Sequence, residues 1–308
     1  MNFHTSVLLK ETIDGLKVQK DQKYIDATIG GGGHTAEILK LGGIVLGIDQ
    51  DPESIKFVKH SLSLQITDGK LKLAQGNFRN IKKIAEKEGF GKVAGIILDL
   101  GVSSYQIDTG ERGFSYQRQG PLDMRMDPES KIKASDLINL LERRKLYEIF
   151  KNLGEERFAS AISSGIVQSR RITAIMTTEG LVKVIAKVLK INERNLTPMK
   201  RTEIAKRVFQ ALRMTVNNEI SSLKEVLASC PSLLQSSGRL AVISFHSVED
   251  RIAKDSFIDF ERRGLGTILT PKPALPSVEE TLANRRSKGA KLRIFEIRST
   301  GSGQGKQI

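Results

Sequence analysis

A run of four glycines, residues 30–33, separates an apolar segment that ends at Asp26 from a helical pattern that begins near His34. A second apolar segment follows that helix, and Asp49 stands at its end. Glycine lets the main chain adopt positive φ and approach a ligand closely, and free N–H groups at a helix start attract anions. An acidic side chain after a second strand is placed to accept hydrogen bonds from ribose hydroxyls. Residues 24–51 therefore predict a site for a nucleoside-containing cofactor.

Two kinds of cofactor compete for this site. Residues 31–36 can be aligned with the G-x-G-x-x-A pattern of dinucleotide-binding proteins, so an NAD-dependent oxidoreductase is one interpretation. Asp26, however, stands on the first predicted strand, just before the glycines. Its carboxylate would repel a pyrophosphate, whereas the cationic methionine end of S-adenosylmethionine would tolerate or use it. The pattern thus favours a methyl donor over NAD.

The apolar spacing predicts an α/β fold, because strands and helices alternate along the first third of the chain. Strands are predicted at residues 24–28, 44–48, 70–74, 93–98, 239–244, 267–270 and 291–297. After the fourth strand only helical spacing is found, at residues 135–150, 155–168, 178–189 and 202–216. We therefore predict a discontinuous α/β domain, an inserted all-helical domain and a disordered tail. Their boundaries are residues 1–105 with 217–298, residues 106–216, and residues 299–308.

The charge of the chain indicates a polyanionic partner, since the formal net charge is +14 and the pI is near 9.8. Between residues 113 and 212 there are 19 Lys or Arg and 11 Asp or Glu, so the predicted insertion carries much of this excess. The clusters Arg143-Arg144-Lys145 and Lys200-Arg201 favour a contact surface for nucleic acid. Two alternatives stay open: solvated helix faces on a basic enzyme, and a non-catalytic RNA-binding assembly factor.

The chain has one cysteine, Cys230, which excludes an internal disulfide and a cysteine-rich zinc site. The four histidines show no ligand spacing, so no metal-binding residues are assigned, and metal dependence stays open. There is no signal-peptide core at the start and no apolar stretch of membrane-spanning length. We therefore expect a cytoplasmic protein with no membrane contact and no stable protein partner.

Cys230 is predicted to follow a helix end, away from every strand end. Because methylation of a pyrimidine ring carbon normally needs an attacking cysteine, nitrogen or oxygen acceptors are favoured.

Polar and aromatic residues follow the predicted strands where a ligand would bind, since ligands of open α/β sheets lie across the carboxyl ends of the strands. Asp99, Ser103 and Ser104 follow the fourth strand. Phe78 follows the third strand, where it could stack on adenine or belong to the core. His246 follows the fifth strand, where it could contact a ligand or cap a helix.

Seven motifs spread over nearly the whole chain resemble one known family. They are GGGGHT, GIDQDP, ILDLGVSSYQID, ERGFSY, PLDMRMD, FQALRMTVNNE and ISFHSVEDRI. Together they resemble the bacterial 16S ribosomal RNA cytosine-N4 methyltransferase family. The resemblance implies a Rossmann-like methyltransferase fold with a helical domain inserted after strand four. It also implies S-adenosylmethionine as cofactor and methyl transfer to N4 of a cytosine in the decoding region of 16S ribosomal RNA, in the small subunit.

The resemblance also implies which residues form the site. The cofactor-binding positions are Gly32, Gly33, His34, Asp49, Phe78, Asp99 and Gln106. We predict that the catalytic positions, which hold the amino-acid end of the cofactor, the incoming amine and the base, are Asp99, Ser103, Ser104 and His246. The predicted substrate-binding positions are Arg112, Asp123 and Arg125, for which an ion pair that braces the loops is the alternative.

Two segments of the chain depart from the family pattern. Residues 204–208, Ile-Ala-Lys-Arg-Val, stand where members usually carry a Pro-Ala-Thr-Arg-Thr-like run. Residues 284–289, Asn-Arg-Arg-Ser-Lys-Gly, replace an Asn-Pro-Arg-Ser-Arg-Ser run. Both segments are expected to contact RNA.

Overall fold

The structure, a computed structural model, describes residues 6–299. Within these residues the chain divides into two compact units, residues 6–101 with 220–299, and Val102–Glu219. The strands, all in the first unit, are β1 Lys23–Asp26, β2 Ile44–Asp49, β3 Leu71–Gln75, β4 Val93–Asp99, β5 Leu234–Ser244, β6 Gly266–Ile268 and β7 Lys291–Ile297. The helices outside the second unit are α1 Leu9–Leu16, α2 Gly33–Lys40, α3 Pro52–Ser61, α4 Ser63–Thr67, α5 Ile81–Glu88, α12 Glu219–Leu233, α13 Ser247–Arg262 and α14 Val278–Ala283.

The seven strands form one sheet in the order β3-β2-β1-β4-β5-β7-β6. Strands β1 to β5 pair in parallel, and β7 pairs antiparallel with both β5 and β6. The chain order reverses between β1 and β4, and ligands of doubly wound folds bind at such a switch point. The predicted Rossmann-like α/β fold is confirmed.

The parallel register brings three acidic residues to one edge of the sheet. Asp26 ends β1, Asp49 ends β2 and Asp99 ends β4, on neighbouring strands. These strands are apolar on both faces, as expected of a parallel sheet covered on both sides. Tyr24 packs in the core cluster of one face and Ile25 in that of the other. Burial of successive residues on opposite faces fixes the register, because a one-residue slip would reverse both faces.

The second unit is built from helices around its own core. Its helices are α6 Ser104–Asp108, α7 Ala134–Leu140, α8 Arg143–Asn152, α9 Ala159–Arg170, α10 Thr178–Val188 and α11 Pro198–Val216. The largest buried side chain of that core is Phe150, with Leu146, Ile162 and Leu181 among its other members. Val102–Glu219 contains the predicted insertion, residues 106–216. No helix in the described part of the chain is both long and apolar enough to cross a membrane.

Local expectations were met at several helices and failed at two. Asp51 caps α3 as its spacing indicates, because its side chain accepts a hydrogen bond from the Glu53 amide at 3.1 Å. The single helix predicted over residues 135–150 is wrong: Leu141, with ψ of 144°, interrupts it between α7 and α8. The predicted helix end before Pro231 is also wrong, since α12 continues to Leu233 and places Cys230 inside the helix. Residues 300–308 of the predicted disordered tail lie outside the described residues.

Candidate active site

The turn between β1 and α2 requires glycine at more than one position. Gly30 has a φ of +48° and Gly32 a φ of +78°, in the region where a Cβ is strained. A Cβ at Gly33 would lie 2.1 Å from the Ser6 hydroxyl oxygen. Because α2 begins at Gly33, the turn presents free backbone N–H groups at the carboxyl end of β1.

Asp49 closes this turn from the neighbouring strand. Its Oδ2 accepts a hydrogen bond from the Gly30 amide at 3.0 Å, and its Oδ1 accepts one from the Asp51 amide at 2.9 Å. An ionised carboxylate offers about four lone-pair positions, so acceptor capacity is left over for a ligand hydroxyl. Burial, together with the smaller effects of the nearby Asp51 and Asp26 charges, raises the pKa of Asp49 to about 6, although its two hydrogen bonds oppose that rise.

Asp26 is a buried carboxylate that sequence reasoning used to choose the cofactor but did not assign to the site. Its Oδ2 accepts from the Thr35 hydroxyl at 2.8 Å, and its Oδ1 accepts from the Thr28 amide at 3.3 Å. Burial raises its pKa to about 6, and the two hydrogen bonds oppose that rise. Asp26 therefore places an acidic group directly under the glycine turn, on the strand next to Asp99.

Asp99 has an oxygen that the protein does not satisfy. Its backbone amide donates to the Thr28 hydroxyl at 2.7 Å, which anchors the end of β4 to the end of β1. Its Oδ2 lies 3.8 Å from Nδ1 of His34, a buried residue in the first turn of α2. Its Oδ1 is buried and makes no hydrogen bond within the described residues. Burial, and then the charges of Asp26 and Glu249, raise the pKa of Asp99 well above its usual range.

His246 and Glu249 contact each other at the end of β5. His246 is the N-cap of α13, and its Nδ1 accepts from the Glu249 amide at 3.4 Å. The Nε2 atom of His246 lies 2.9 Å from Glu249 Oε1, and Glu249 Oε2 accepts from the Phe245 amide at 2.9 Å. The helix-capping interpretation of His246 thus describes its observed contacts. Sequence reasoning missed Glu249, although an acidic residue three positions after a helix cap is a recognisable pattern.

Two further segments of the first unit border this edge of the sheet. Phe78 begins a short 3-10 turn after β3 and is half-buried. Its buried part packs against the core, as one of the two interpretations of this residue expects. The basic segment 285–289 approaches β5 closely, because a Cβ at Gly289 would lie 2.9 Å from the Phe245 carbonyl oxygen. Its Arg285 and Lys288 are exposed. Positive charge therefore lies on the loop that packs beside His246.

The remaining predicted site residues belong to the second unit. Ser103 and Gln106 form a capping box at the start of α6: the Ser103 hydroxyl accepts from the Gln106 amide at 3.2 Å, and the Gln106 side chain accepts from the Ser103 amide at 3.0 Å. Ser104, the first residue of α6, is buried. These contacts show how the segment after β4 is held in shape.

Arg112, Asp123 and Arg125 are occupied by contacts within their own loops. The Arg125 guanidinium donates two hydrogen bonds to the Asp123 carboxylate, from Nε to Oδ1 at 2.7 Å and from Nη2 to Oδ2 at 2.8 Å. The Arg112 guanidinium donates to the Arg125 carbonyl at 3.1 Å and to the Met126 carbonyl at 2.9 Å. Hydrogen bonding to Arg125 holds the pKa of Asp123 below its usual value against the effect of burial. The loop-bracing interpretation matches these contacts.

The residues at the sheet edge fit a nucleoside cofactor with a cationic end. Asp49 has spare acceptor capacity for hydroxyl groups, and the buried Asp99 Oδ1 needs a donor. Asp26 adds negative charge that would oppose a pyrophosphate and favour a cation.

Comparison with known proteins gives a match over almost the whole chain. The family model of the MraW methylase family matches residues 1–298. A ribosomal RNA small subunit methyltransferase H from Clostridium botulinum is 42% identical over 94% of this chain and 97% of its own. The corresponding protein from Clostridioides difficile is 40% identical over 96% of this chain and 99% of its own. Among solved structures, an rRNA methylase from Streptococcus thermophilus aligns with a TM-score of 0.46 at 11% identity, over 96% of this chain and 98% of that chain.

The family assignment rests on the sequence matches, because the structural likeness is too distant to add to it. The sequence matches confirm the family resemblance seen in the motifs. They also confirm the prediction of an S-adenosylmethionine-dependent methyltransferase. The NAD-dependent oxidoreductase and the non-catalytic assembly factor gain no support. With the family model matched over residues 1–298 and relatives at 40–42% identity, this chain belongs to the MraW methylase family.

Proposed function

We propose that this protein transfers a methyl group from S-adenosylmethionine to the exocyclic N4 of a cytosine in the 16S ribosomal RNA of the small subunit. The observation that carries the proposal is the identity of 40–42%, over 94–96% of the chain, to proteins named ribosomal RNA small subunit methyltransferase H. The motifs that resemble the cytosine-N4 family supply the choice of atom. The exposed cations of segment 285–289, beside His246, support an RNA substrate.

The cofactor would be held by the glycine turn and the strand-end residues. Gly32, Gly33 and His34 line the turn, Asp49 receives the ribose hydroxyls and Phe78 packs against the base of the cofactor. Asp99 would hold its amino-acid end, and Gln106 is a cofactor-binding position that the family resemblance alone implies. When bound, S-adenosylmethionine supplies a methyl group on a positively charged sulfur.

The protein residues would orient the N4 atom of the cytosine and receive the proton that it loses. The base must leave its stack before its N4 can reach the site, as for other enzymes that act on bases. Asp99 Oδ1 is a buried acceptor that can take a hydrogen bond from the N4 amine, align the nitrogen lone pair and receive the proton that N4 loses once it carries the methyl group. Ser103 and Ser104 follow Asp99 and frame the same loop. His246, fixed by Glu249, is a second polar group for the base.

Cys230 argues against a ring-carbon acceptor and leaves nitrogen or oxygen as the acceptor atom. Its side chain is fully buried in α12, and burial raises the pKa of its thiol far above the usual range. A protonated thiol in the core cannot attack a pyrimidine ring, as methylation of a ring carbon would require. The proposed reaction therefore proceeds by direct displacement, in which positioning provides most of the rate enhancement.

Nucleoside mass spectrometry tests the proposal. Small subunits and free 16S ribosomal RNA from cells that lack this protein would be incubated with the enzyme and methyl-deuterated S-adenosylmethionine, digested and separated. We expect deuterated N4-methylcytidine, at one cytosine of the RNA, with wild type and with the Cys230→Ser control. A deuterated 5-methylcytidine, a ribose methylation or an unlabelled RNA with both substrates would contradict the proposal.

A further inference from the structure

The basic clusters that stand out in the sequence of the helical unit are partly neutralised by neighbouring carboxylates, although Arg143 is exposed and forms no ion pair within the described residues. Their pairs are Arg144–Glu148, Lys145–Glu148, Lys200–Glu203 and Arg201–Glu179, with N···O distances between 2.5 and 3.4 Å. A cation that already faces a carboxylate gains less from a phosphate, because the carboxylate must be displaced or remains as a repulsive neighbour. Sequence clustering is therefore a poor guide to where this unit attracts an anion.

A different set of cations in the same unit has no such partner. Lys151, Arg157, Lys206 and Arg207 are all exposed, and none of them forms an ion pair within the described residues. Lys151 lies in the last turn of α8, Arg157 precedes α9, and the other two lie on the exposed face of α11. They come from two segments that are distant in sequence, the turn between α8 and α9 and the helix α11.

Packing brings these segments together around one glycine. A Cβ at Gly154, in the turn between α8 and α9, would lie 2.6 Å from the Arg207 carbonyl oxygen and 2.9 Å from the Phe150 carbonyl oxygen. The side chain of Gln210, on the same face of α11 as Arg207, donates to the Leu153 carbonyl at 3.3 Å. The turn that carries Lys151 and Arg157 is thus held against the part of α11 that carries the other two cations.

We propose that Lys151, Arg157, Lys206 and Arg207 form a docking surface for the phosphate backbone of the ribosomal RNA substrate. We call these four residues the unpaired basic surface. The proposal rests on the proposed function for the identity of the RNA. Exposed cations without carboxylate partners release condensed counterions from a polyanion, which gives affinity that depends steeply on salt. The turn also carries the exposed Glu155 and the buried Glu156, so four positive charges stand against two negative charges.

The test replaces all four residues with glutamine and measures RNA affinity and turnover. Binding of a fluorescent fragment of small-subunit ribosomal RNA would be followed by anisotropy at salt concentrations from 50 to 200 mM. We expect affinity at least about tenfold weaker and a salt slope shallower by about 0.7 for each phosphate that the variant no longer neutralises. In steady-state methylation, KM for RNA should rise while kcat changes little, because these residues bind substrate without touching the reacting atoms.

The control changes net charge by the same amount at paired cations elsewhere. Lys40, Lys70, Lys72 and Arg263 each face a carboxylate within 4 Å in the first unit, and all four would be replaced with glutamine. We expect this variant to keep at least about a third of the wild-type RNA affinity. Circular dichroism of both variants would establish that the fold is intact.

The outcomes separate this surface from the proposed function. If wild type methylates the RNA and both variants lose affinity equally, or neither does, the surface assignment is overturned. If wild type yields no methylated RNA, the proposed function fails, and the affinity comparison still decides the surface. Displacement of the RNA by polyglutamate at equal charge would indicate an acidic protein as partner and would also overturn the assignment.

Discussion

Two groups of acidic and basic side chains in this protein look alike in sequence and differ in how their polar atoms are used. At the ends of β1, β2 and β4, the carboxylates of Asp26, Asp49 and Asp99 face backbone amides, hydroxyls and one another. In the helical unit, Asp123 and Arg125 satisfy each other through two short hydrogen bonds. The first group keeps a buried oxygen without a donor, at Asp99, and the second does not.

This difference teaches where a ligand is needed. A buried acceptor without a partner costs free energy, so a fold retains one where a substrate or cofactor completes it. A saturated ion pair needs nothing more and stabilises the loop that contains it. We therefore expect changes at the strand-end carboxylates to alter chemistry and affinity, and changes at Asp123 and Arg125 to alter stability.

The largest expected effect is that of Asp99→Asn. The amide keeps the size of the side chain and replaces one acceptor oxygen with a donor nitrogen, which removes the acceptor for the incoming amine. Single-turnover methylation should fall by roughly 100-fold or more, as when a positioned acid or base is lost. Thermal unfolding should be unchanged or shifted upward, because the buried charge is gone. Turnover equal to wild type would remove Asp99 from the chemistry.

The next effect concerns the cofactor alone. Asp49→Ala removes the acceptor of the Gly30 and Asp51 amides and of the ribose hydroxyls. Calorimetry should show S-adenosylhomocysteine bound about 10- to 100-fold more weakly, in line with the loss of hydrogen bonds to a charged group. Asp21→Ala, at an exposed pair with Lys70, is the control and should bind as wild type does. An undiminished affinity in Asp49→Ala would argue against the ribose contact.

A third effect is the pH dependence of stability that the buried Asp26 causes. The pKa of Asp26 is about 6 in the folded protein and near 3.8 when exposed, so the folded state holds its proton more tightly. The stabilising contribution is therefore complete at low pH and is lost as pH rises through 6. In Asp26→Asn this loss is absent, and the ligand-free variant should exceed wild type in stability by on the order of 2–3 kcal/mol at pH 7.5.

Urea unfolding at pH 4 and pH 7.5 measures that difference. The advantage of Asp26→Asn should shrink to well under half at pH 4, where the carboxyl group is mostly protonated in the folded state and increasingly so in the unfolded state. A difference between the two proteins that does not change with pH would show that burial does not shift the titration of Asp26.

The smallest expected effect lies in the helical unit. Asp123→Asn breaks the half-buried pair with Arg125, and it should lower the stability of the protein by about 1–3 kcal/mol. Glu148→Gln is the control, since its pairs with Arg144 and Lys145 are exposed and its removal should barely move the unfolding transition. Equal losses in the two variants would mean that the Asp123 pair is no more than another surface pair.

Several strand ends and helix starts of the fold could be predicted from the sequence. The strand ends at Asp49 and Asp99 follow from apolar runs, and the cap at Asp51 follows from its place before Pro52. The break at Leu141 could not be predicted, because apolar spacing continues across it and the nearby Asn139 side chain bonds the backbone of Ile175, a contact between distant segments. Helix α12 continues past Pro231 although the proline has no N–H to donate to the carbonyl four residues earlier, and nothing local in the sequence indicates this.

The candidate site was predictable in its residue types and not in its hydrogen bonding. The glycine turn and its acidic partners follow from local spacing. That Asp99 Oδ1 is left without a donor and that Arg201 faces Glu179 depend on where the chain folds back. The contact between Glu249 and His246, by contrast, is local, since the two residues are three positions apart. Spacing along the sequence carries no information on such contacts, so the unpaired basic surface was visible only in the structure.

A crystal structure with S-adenosylhomocysteine bound tests the central claim most directly. We expect the ligand to lie across the carboxyl ends of β1, β2 and β4, with its ribose hydroxyls on Asp49 and its amino-acid end beside Asp99. A ligand bound elsewhere, or bound there with its ribose hydroxyls away from Asp49, would contradict the proposed cofactor site.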